Sequence, residues 1–142
     1  MARRIAYQGS KFTIAFAQTG SGCPAGEFFD ALEDSDKAKL MALFRLLGDK
    51  GRISNPEKFG SLGDGLYEFK SFQIRMPFAY ARHERRLVII SHGFIKKRDK
   101  APKEEIERAK RILEEDARIA GAPRQDAGQQ TSRVVPIRKK KP

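Results

Sequence analysis

The spacing of apolar residues along this chain predicts a strand, two helices, three more strands and a last helix. In residues 11–17, Phe12, Ile14 and Phe16 alternate with smaller or polar residues, as in a strand with one buried face. The later strand candidates are 66–72, 73–81 and 86–95. Pro77 places the second of these at a sheet edge or beside a bulge, because proline has no N–H for the ladder.

A helical period appears in three places. Pro24 opens a short helix after a glycine-rich loop. The next helix has an apolar face with i, i+3, i+4 and i+7 spacing, formed by Leu40, Leu43, Phe44 and Leu47. The last helix begins near Pro102 or Lys103, and Gly121 and Pro123 end it. The order β-α-α-β-β-β-α, with hairpin-linked strands, predicts an α+β fold with an antiparallel sheet and helices on one face.

The chain length of 142 residues suits one domain, and composition divides it in two. Residues 1–122 carry the periodic segments and form the predicted domain. Residues 123–142 hold six basic residues and one acidic residue, with no helical period. We therefore predict a disordered basic tail there.

Charge points to a polyanionic partner. The formal net charge is +11, and residues 68–100 hold nine Lys/Arg against three acids. Residues 21–36 hold five acids and no base, so we expect that segment to face away from the partner. Such asymmetry favours nucleic acid. No apolar run approaches the length of a membrane span, and a membrane surface is the weaker interpretation.

Other kinds of site are poorly supported. Cys23 is the only cysteine, so no intrachain disulfide and no cysteine-based metal cluster can form. The N-terminus lacks the apolar core of a signal peptide, which favours the cytoplasm. His83 and His92 have no metal-ligand neighbours in sequence, and no phosphate-loop or dinucleotide motif is present. We predict neither a metal nor a cofactor.

Four cations form the candidate site. Lys70 and Arg75 lie on the polar side of their predicted strands, and Lys96 and Lys97 follow the neighbouring strand directly. If the strands pair as predicted, these groups converge on one surface, where only a polyanion would relieve their repulsion. The alternative for any one of them is an ordinary solvated side chain.

His92 is either a hydrogen-bonded core histidine or a proton shuttle near the cations. Tyr80 is a core residue or a platform for a stacked base. The candidate RNA-binding residues are Tyr80, Arg82, Arg98, Lys100, Lys139, Lys140 and Lys141.

The run GLYEFK…IR…Y…RRLVIISHGFIKKRDKAPKEEIERAKRIL resembles the phage-derived, HigB-like branch of the RelE/ParE type II toxin superfamily. The resemblance covers residues 64–113 well and 7–62 more loosely. It implies a RelE/ParE-like α+β fold, in which an N-terminal strand and helix pair precede a three-stranded antiparallel meander and a C-terminal helix.

The same resemblance implies a cytoplasmic toxin that cleaves mRNA on the ribosome without a metal and is neutralised by a helix-turn-helix antitoxin. Lys70, Arg75 and Lys96 or Lys97 fall where such enzymes place catalytic cations. The tyrosine of RelE has no counterpart at residues 101–103, so the catalytic base stays open, with His92 a candidate. The alternatives are a gyrase-inhibiting ParE-like toxin and a phage nucleic-acid-binding protein on the same fold.

Overall fold

A computed structural model describes residues 3–97 and 102–121 of the chain. The three helices are α1 (Pro24–Asp30), α2 (Asp34–Lys50) and α3 (Lys103–Ile119). The strands are β1 (Arg4–Gln8), β2 (Thr13–Phe16), β3 (Phe59–Gly63), β4 (Leu66–Ser71), β5 (Ile74–Tyr80), β6 (Leu87–Ile90) and β7 (Phe94–Ile95). The α+β class is confirmed, as are the three helices and the predicted strand near residues 11–17.

The strands form one mixed sheet in the order β1-β2-β6-β5-β4-β3, and β7 pairs with β5. Strands β4, β5 and β6 form the predicted antiparallel meander. The expectation of a purely antiparallel sheet is wrong, because β2 runs parallel to β6. The long connection through α1 and α2 allows this pairing, since a crossover returns the chain in the same direction.

Helices cover both faces of the sheet, which corrects the expectation of a single covered face. Phe44 of α2 packs in one core cluster with Val88 and Ile90 of β6. Ile89 lies between those two residues and packs instead against Ile112 of α3. Because successive strand residues point to opposite sides, α2 and α3 lie on opposite faces, called below the α2 face and the α3 face. Strand β6 is therefore buried on both sides, as its apolar run predicts.

Strands β1 and β3 do not appear in the sequence prediction. Every residue of β1 is partly or fully exposed, so this strand has no clean apolar alternation. Strand β3 (FGSLG) contains two glycines, which are poor strand formers. Both are edge strands of the sheet, and pairing with β2 and β4 creates them rather than local propensity.

The predicted strand over 86–95 is interrupted between β6 and β7. Strand β5 is internal, so Pro77 does not lie at an edge. The Pro77 carbonyl accepts a hydrogen bond from Ser91 N at 2.8 Å. Pro77 has no N–H to donate on this side of β5. Residues 91–93, which separate β6 from β7, lie next to it. Pro77 thus lies beside an irregularity in the ladder, which is the second of the two positions that the sequence predicted for it.

Polar contacts fix α3 to the sheet. Asp116 is fully buried, and its carboxylate accepts hydrogen bonds from Arg3 Nε at 3.0 Å and from Gln18 N at 2.9 Å. Lys110 Nζ also donates to Asp64 Oδ2 at 2.8 Å. These contacts tie α3 to both ends of the sheet. The buried Asp116 charge is satisfied by partners, as a buried carboxylate requires.

Candidate functional site

Lys70 and Arg75 are direct cross-strand partners in the β4–β5 ladder. Residues paired in this way point to the same face, so both side chains leave the α3 face. Their strand neighbours Phe69 and Met76 point to the α2 face and are fully buried there. The alternation predicted from the sequence therefore places these two cations side by side.

Lys96 joins the pair from β7. Phe94 lies opposite Arg75 in the β5–β7 ladder and therefore points to the α3 face. The Lys96 backbone N donates to Gln73 O at 2.7 Å, which holds this residue against the start of β5. Alternation from Phe94 turns Lys96 to the same face and Lys97 away from it. Lys97 is exposed.

A buried carboxyl lies among the three cations. Glu68 is only 6% exposed and lies on β4 two residues before Lys70, on the same face. Burial raises the pKa of Glu68, while the positive charges of Arg75, Lys70 and Lys96 act in the opposite direction. These four residues are called the cation cluster below. Glu68 supplies a partial counter-charge that the sequence analysis missed.

Two polar atoms of the cation cluster are unsatisfied. Within residues 3–97 and 102–121, Glu68 Oε1 and Arg75 Nε are buried and have no hydrogen-bond partner. Gly60 of β3 leaves room above Glu68, and a methyl group on it would come 3.4 Å from Lys70 Nζ and 3.7 Å from Glu68 Oε2. The cation cluster therefore contains an acceptor, Glu68 Oε1, and a donor, Arg75 Nε, that have no partners, and Gly60 beside them has no side chain.

Arg75 also makes hydrogen bonds to the backbone at the β4–β5 turn. Its Nη1 donates to Phe72 O at 2.5 Å and to Ile74 O at 2.9 Å. The guanidinium is thus held in one orientation at the edge of the cluster rather than moving freely in solvent. Fixed cations are suited to stabilising charge that develops in a transition state.

His92 is 1% exposed and lies where β6 ends. Its Nδ1 is 3.0 Å from Ser91 Oγ, and its Nε2 is 2.9 Å from Glu105 Oε1 of α3. Burial lowers the pKa of His92, against the opposing effect of the Glu105 hydrogen bond. Its ring stacks on Phe94, with centroids 5.7 Å apart. Both ring nitrogens are engaged within the protein, and the catalytic role of His92 stays a prediction.

Tyr80 and Arg82 lie away from the cation cluster. Tyr80 points to the α2 face, where its ring contacts Phe12 at 5.4 Å and Tyr67 at 5.6 Å between centroids. Arg82 is exposed in the β5–β6 connection. At about 3.3 Å per residue it lies roughly 20 Å along the strand direction from Arg75. A single nucleotide could not contact both residues.

The remaining candidates lie outside the described residues. These are Arg98 and Lys100 between β7 and α3, and Lys139, Lys140 and Lys141 in the basic tail. Their roles in RNA binding stay predictions.

Neither a metal site nor a membrane span is found in the described ranges. Over residues 3–97 and 102–121 no three His, Cys, Asp or Glu side chains are grouped to hold a metal ion. No helix within those ranges has the length and apolarity needed to cross a membrane.

Sequence reasoning missed Glu68 and Phe72. Glu68 lies two residues before Lys70 in a predicted strand. This spacing was the available signal that the two side chains point to the same face of the sheet. The sequence pattern places Phe72 at the end of a strand, although it lies in the two-residue turn between Ser71 and Ile74 and is 70% exposed. No periodicity reveals an exposed aromatic residue in a turn.

Comparison with known proteins gives one family. The family model described as phage derived protein Gp49-like (DUF891) matches residues 27–114, which is more than half of the chain and includes the whole described cation cluster. No curated protein matches the chain.

Proposed function

The chain belongs to the phage-derived Gp49-like family, a toxin-like family related to RelE and HigB, and from that premise we propose that it is the toxin of a toxin–antitoxin pair. We propose further that it is an endoribonuclease that cleaves mRNA on the ribosome. The single observation that supports the chemistry is the convergence of Lys70, Arg75 and Lys96 around buried Glu68.

The cation cluster suits cleavage of an RNA phosphodiester. The 2′-hydroxyl oxygen attacks the adjacent phosphorus, the P–O5′ bond breaks, and a cyclic phosphate remains. The attacking hydroxyl loses its proton to a base, and the leaving 5′-oxygen gains a proton from an acid. The pentacoordinate intermediate carries extra negative charge. Preorganised Lys70, Arg75 and Lys96 would stabilise that charge without a metal.

Glu68 has a distinct place in this proposal. In the free protein its carboxylate offsets the repulsion among the three cations, so they stay close before RNA arrives. A bound phosphate then supplies the compensating charge. Because burial raises the pKa of Glu68, this group also accepts a proton more readily than an exposed carboxylate does.

The test is primer extension on a reporter mRNA after brief induction. We expect new cut sites with the unaltered protein and their disappearance with Lys70→Met, which keeps an aliphatic stem and removes the charge. Lys50→Met is the matched control, because Lys50 is exposed at the end of α2, remote from the cluster. A copy of the message without its start codon tests ribosome dependence and should remain uncut.

Two results would contradict the proposal. Intact messages together with altered plasmid supercoiling would favour a gyrase-inhibiting toxin. Equal cleavage of the translated and untranslated messages would remove the ribosome from the mechanism and leave a general ribonuclease.

Family membership also implies an antitoxin partner. We propose that an acidic segment of a helix-turn-helix antitoxin covers the cation cluster in competition with RNA. Lys70 and Lys96 should then be protected from chemical acetylation in the co-purified complex, whereas exposed Lys50 should react as in the free protein. Unchanged reactivity of both cluster lysines in a neutralised complex would exclude occlusion.

A further inference from the structure

Phe72 occupies an unusual position for a large apolar residue. It is 70% exposed, the greatest exposure of any large hydrophobic residue in the described ranges. Its φ angle is +56°, in the left-handed region. Two-residue hairpin turns with a positive φ at their first position ordinarily have glycine, asparagine or aspartate there. A bulky residue in this conformation is an outlier and calls for a functional explanation.

Two lysines from other elements lie over the Phe72 ring. Lys39 Nζ of α2 is 4.6 Å from the ring centroid, and Lys58 Nζ, from the segment before β3, is 5.6 Å from it. Cations at these distances are attracted to the negative face of an aromatic ring. They also place two positive charges at this exposed turn.

The turn is connected to the cation cluster by a hydrogen bond. The Phe72 carbonyl accepts from Arg75 Nη1 at 2.5 Å. This bond fixes the Phe72 backbone against Arg75. The ring itself lies within reach of Lys39 of α2, the helix on the face opposite to the one from which Lys70 and Arg75 project. The aromatic ring and the cation cluster thus lie at the same end of β4 and β5 and are connected through the backbone of the turn.

We propose that Phe72, Lys39 and Lys58 form a subsite for single-stranded RNA, in which a base replaces a lysine ammonium group over the Phe72 ring and the lysines contact the flanking phosphates. This inference rests on the proposed function, since it adds a contact at the β4–β5 turn for RNA that is held at the cation cluster. Stacking accepts any base because every base has a π-face, and lysine contacts to phosphate carry no sequence information. The subsite therefore adds affinity and positions the strand without selecting a sequence.

A protein partner is the competing occupant of an exposed phenylalanine. The charge around Phe72 favours RNA, because Lys39 and Lys58 lie over its ring and Arg75 donates to its carbonyl.

The absence of tryptophan from the sequence allows a direct measurement. Phe72→Trp places a single indole in the full-length protein at the subsite. We expect its fluorescence to be quenched by a short single-stranded oligoribonucleotide of mixed sequence, and much less by the same length of abasic ribose-phosphate. Ile5→Trp is the matched control, because Ile5 is also exposed but lies on the edge strand β1, which is separated from β5 by β2 and β6.

Affinity provides the second readout. Phe72→Leu keeps an apolar side chain and removes the π-face, and we expect it to weaken oligonucleotide binding by about five- to 150-fold. Lys39→Gln and Lys58→Gln together should reduce the slope of log affinity against log salt concentration by about one to two units.

The outcomes separate this subsite from the proposed enzyme. Quenching in Phe72→Trp with no cleavage of mRNA on ribosomes would support the subsite and contradict the nuclease. Cleavage by the unaltered protein with no quenching, or unchanged affinity in Phe72→Leu, would overturn the subsite alone. Quenching by the antitoxin but not by RNA would assign Phe72 to a protein contact and reject our proposal.

Discussion

His92 Nε2 lies 2.9 Å from Glu105 Oε1, and this contact joins the end of β6 to the first turns of α3. Ser91 engages the other ring nitrogen, and Arg108 is a nearby positive charge that further disfavours protonation of the ring. The neutral form of the His92 ring therefore connects α3 to the end of β6.

This arrangement predicts how stability depends on pH. Burial lowers the pKa of His92 in the folded protein, so the unfolded chain binds a proton more readily. The free energy of unfolding should decrease as the pH falls below about 6.5, the ordinary histidine value. His92→Asn should reduce this decrease between pH 7.5 and 5, measured by urea denaturation. Exposed His83 provides the control, and His83→Asn should keep the full decrease. Equal pH dependence in both variants would contradict the prediction.

Arg75 should matter for both charge and orientation. We expect Arg75→Ala to reduce the cleavage rate by about 10²–10³, as for removal of one preorganised donor to a developing anion. Arg75→Lys should recover only part of the rate, because lysine keeps the charge but lacks the planar guanidinium, in which Nη1 donates to Phe72 O and Ile74 O while Nε keeps an unused N–H. Single-turnover cleavage on purified ribosomes measures both. Arg45→Ala, at an exposed position of α2, should cleave normally. Full activity of Arg75→Ala would remove this residue from the site.

Glu68 should make a pH-dependent contribution of the opposite sign. Its pKa is raised in the folded protein, so ionisation above about 4.5 favours the unfolded chain. The free energy of unfolding of Glu68→Gln, relative to that of the unaltered protein, should therefore increase between pH 4 and pH 7. The same change removes a negative charge beside three cations and should tighten RNA binding. Denaturation curves at the two pH values and oligonucleotide titrations test the two parts separately. A stability difference that does not change with pH would show that the Glu68 carboxyl titrates normally.

A close approach between two glycines should limit substitution at the β1–β2 turn. A Cβ at Gly9 would collide with the Gly48 carbonyl of α2, and backbone atoms cannot rotate away. We expect Gly9→Ala to destabilise the protein by about 1–3 kcal/mol. Gly20→Ala is the control, because its Cβ would meet only the flexible end of Glu115 at 3.3 Å. Thermal denaturation would contradict the prediction if both variants unfolded at the same temperature.

The basic tail, residues 123–142, lies outside the described residues, and its predicted role rests on charge alone. Truncation after Ala122 removes six basic residues and one acidic residue. Ribosome association should weaken, and its salt dependence should decrease by about 0.7–0.9 slope units for each phosphate that the shortened chain no longer neutralises. Cleavage positions should stay the same, because binding to phosphates carries no sequence information. An unchanged salt slope would mean that the tail does not bind ribosomal RNA.

The sequence alone determined the features that depend on local periodicity. Apolar spacing predicted α2 through Leu40 and Leu47, both of which are fully buried. Strand alternation predicted that Lys70 and Arg75 share a face, because side-chain direction in a strand follows parity. The net positive charge of residues 68–100 likewise follows from the sequence without knowledge of the fold.

Only the tertiary structure decided which elements meet. The parallel pairing of β2 with β6, the edge strands β1 and β3, and the position of α3 on the second face all depend on contacts distant in sequence. Glu68 became part of the cluster in the same way, since its burial and its three cationic neighbours arise only when β4, β5 and β7 assemble. Periodicity specifies the direction of a side chain, whereas burial and charge coupling depend on what packs against it.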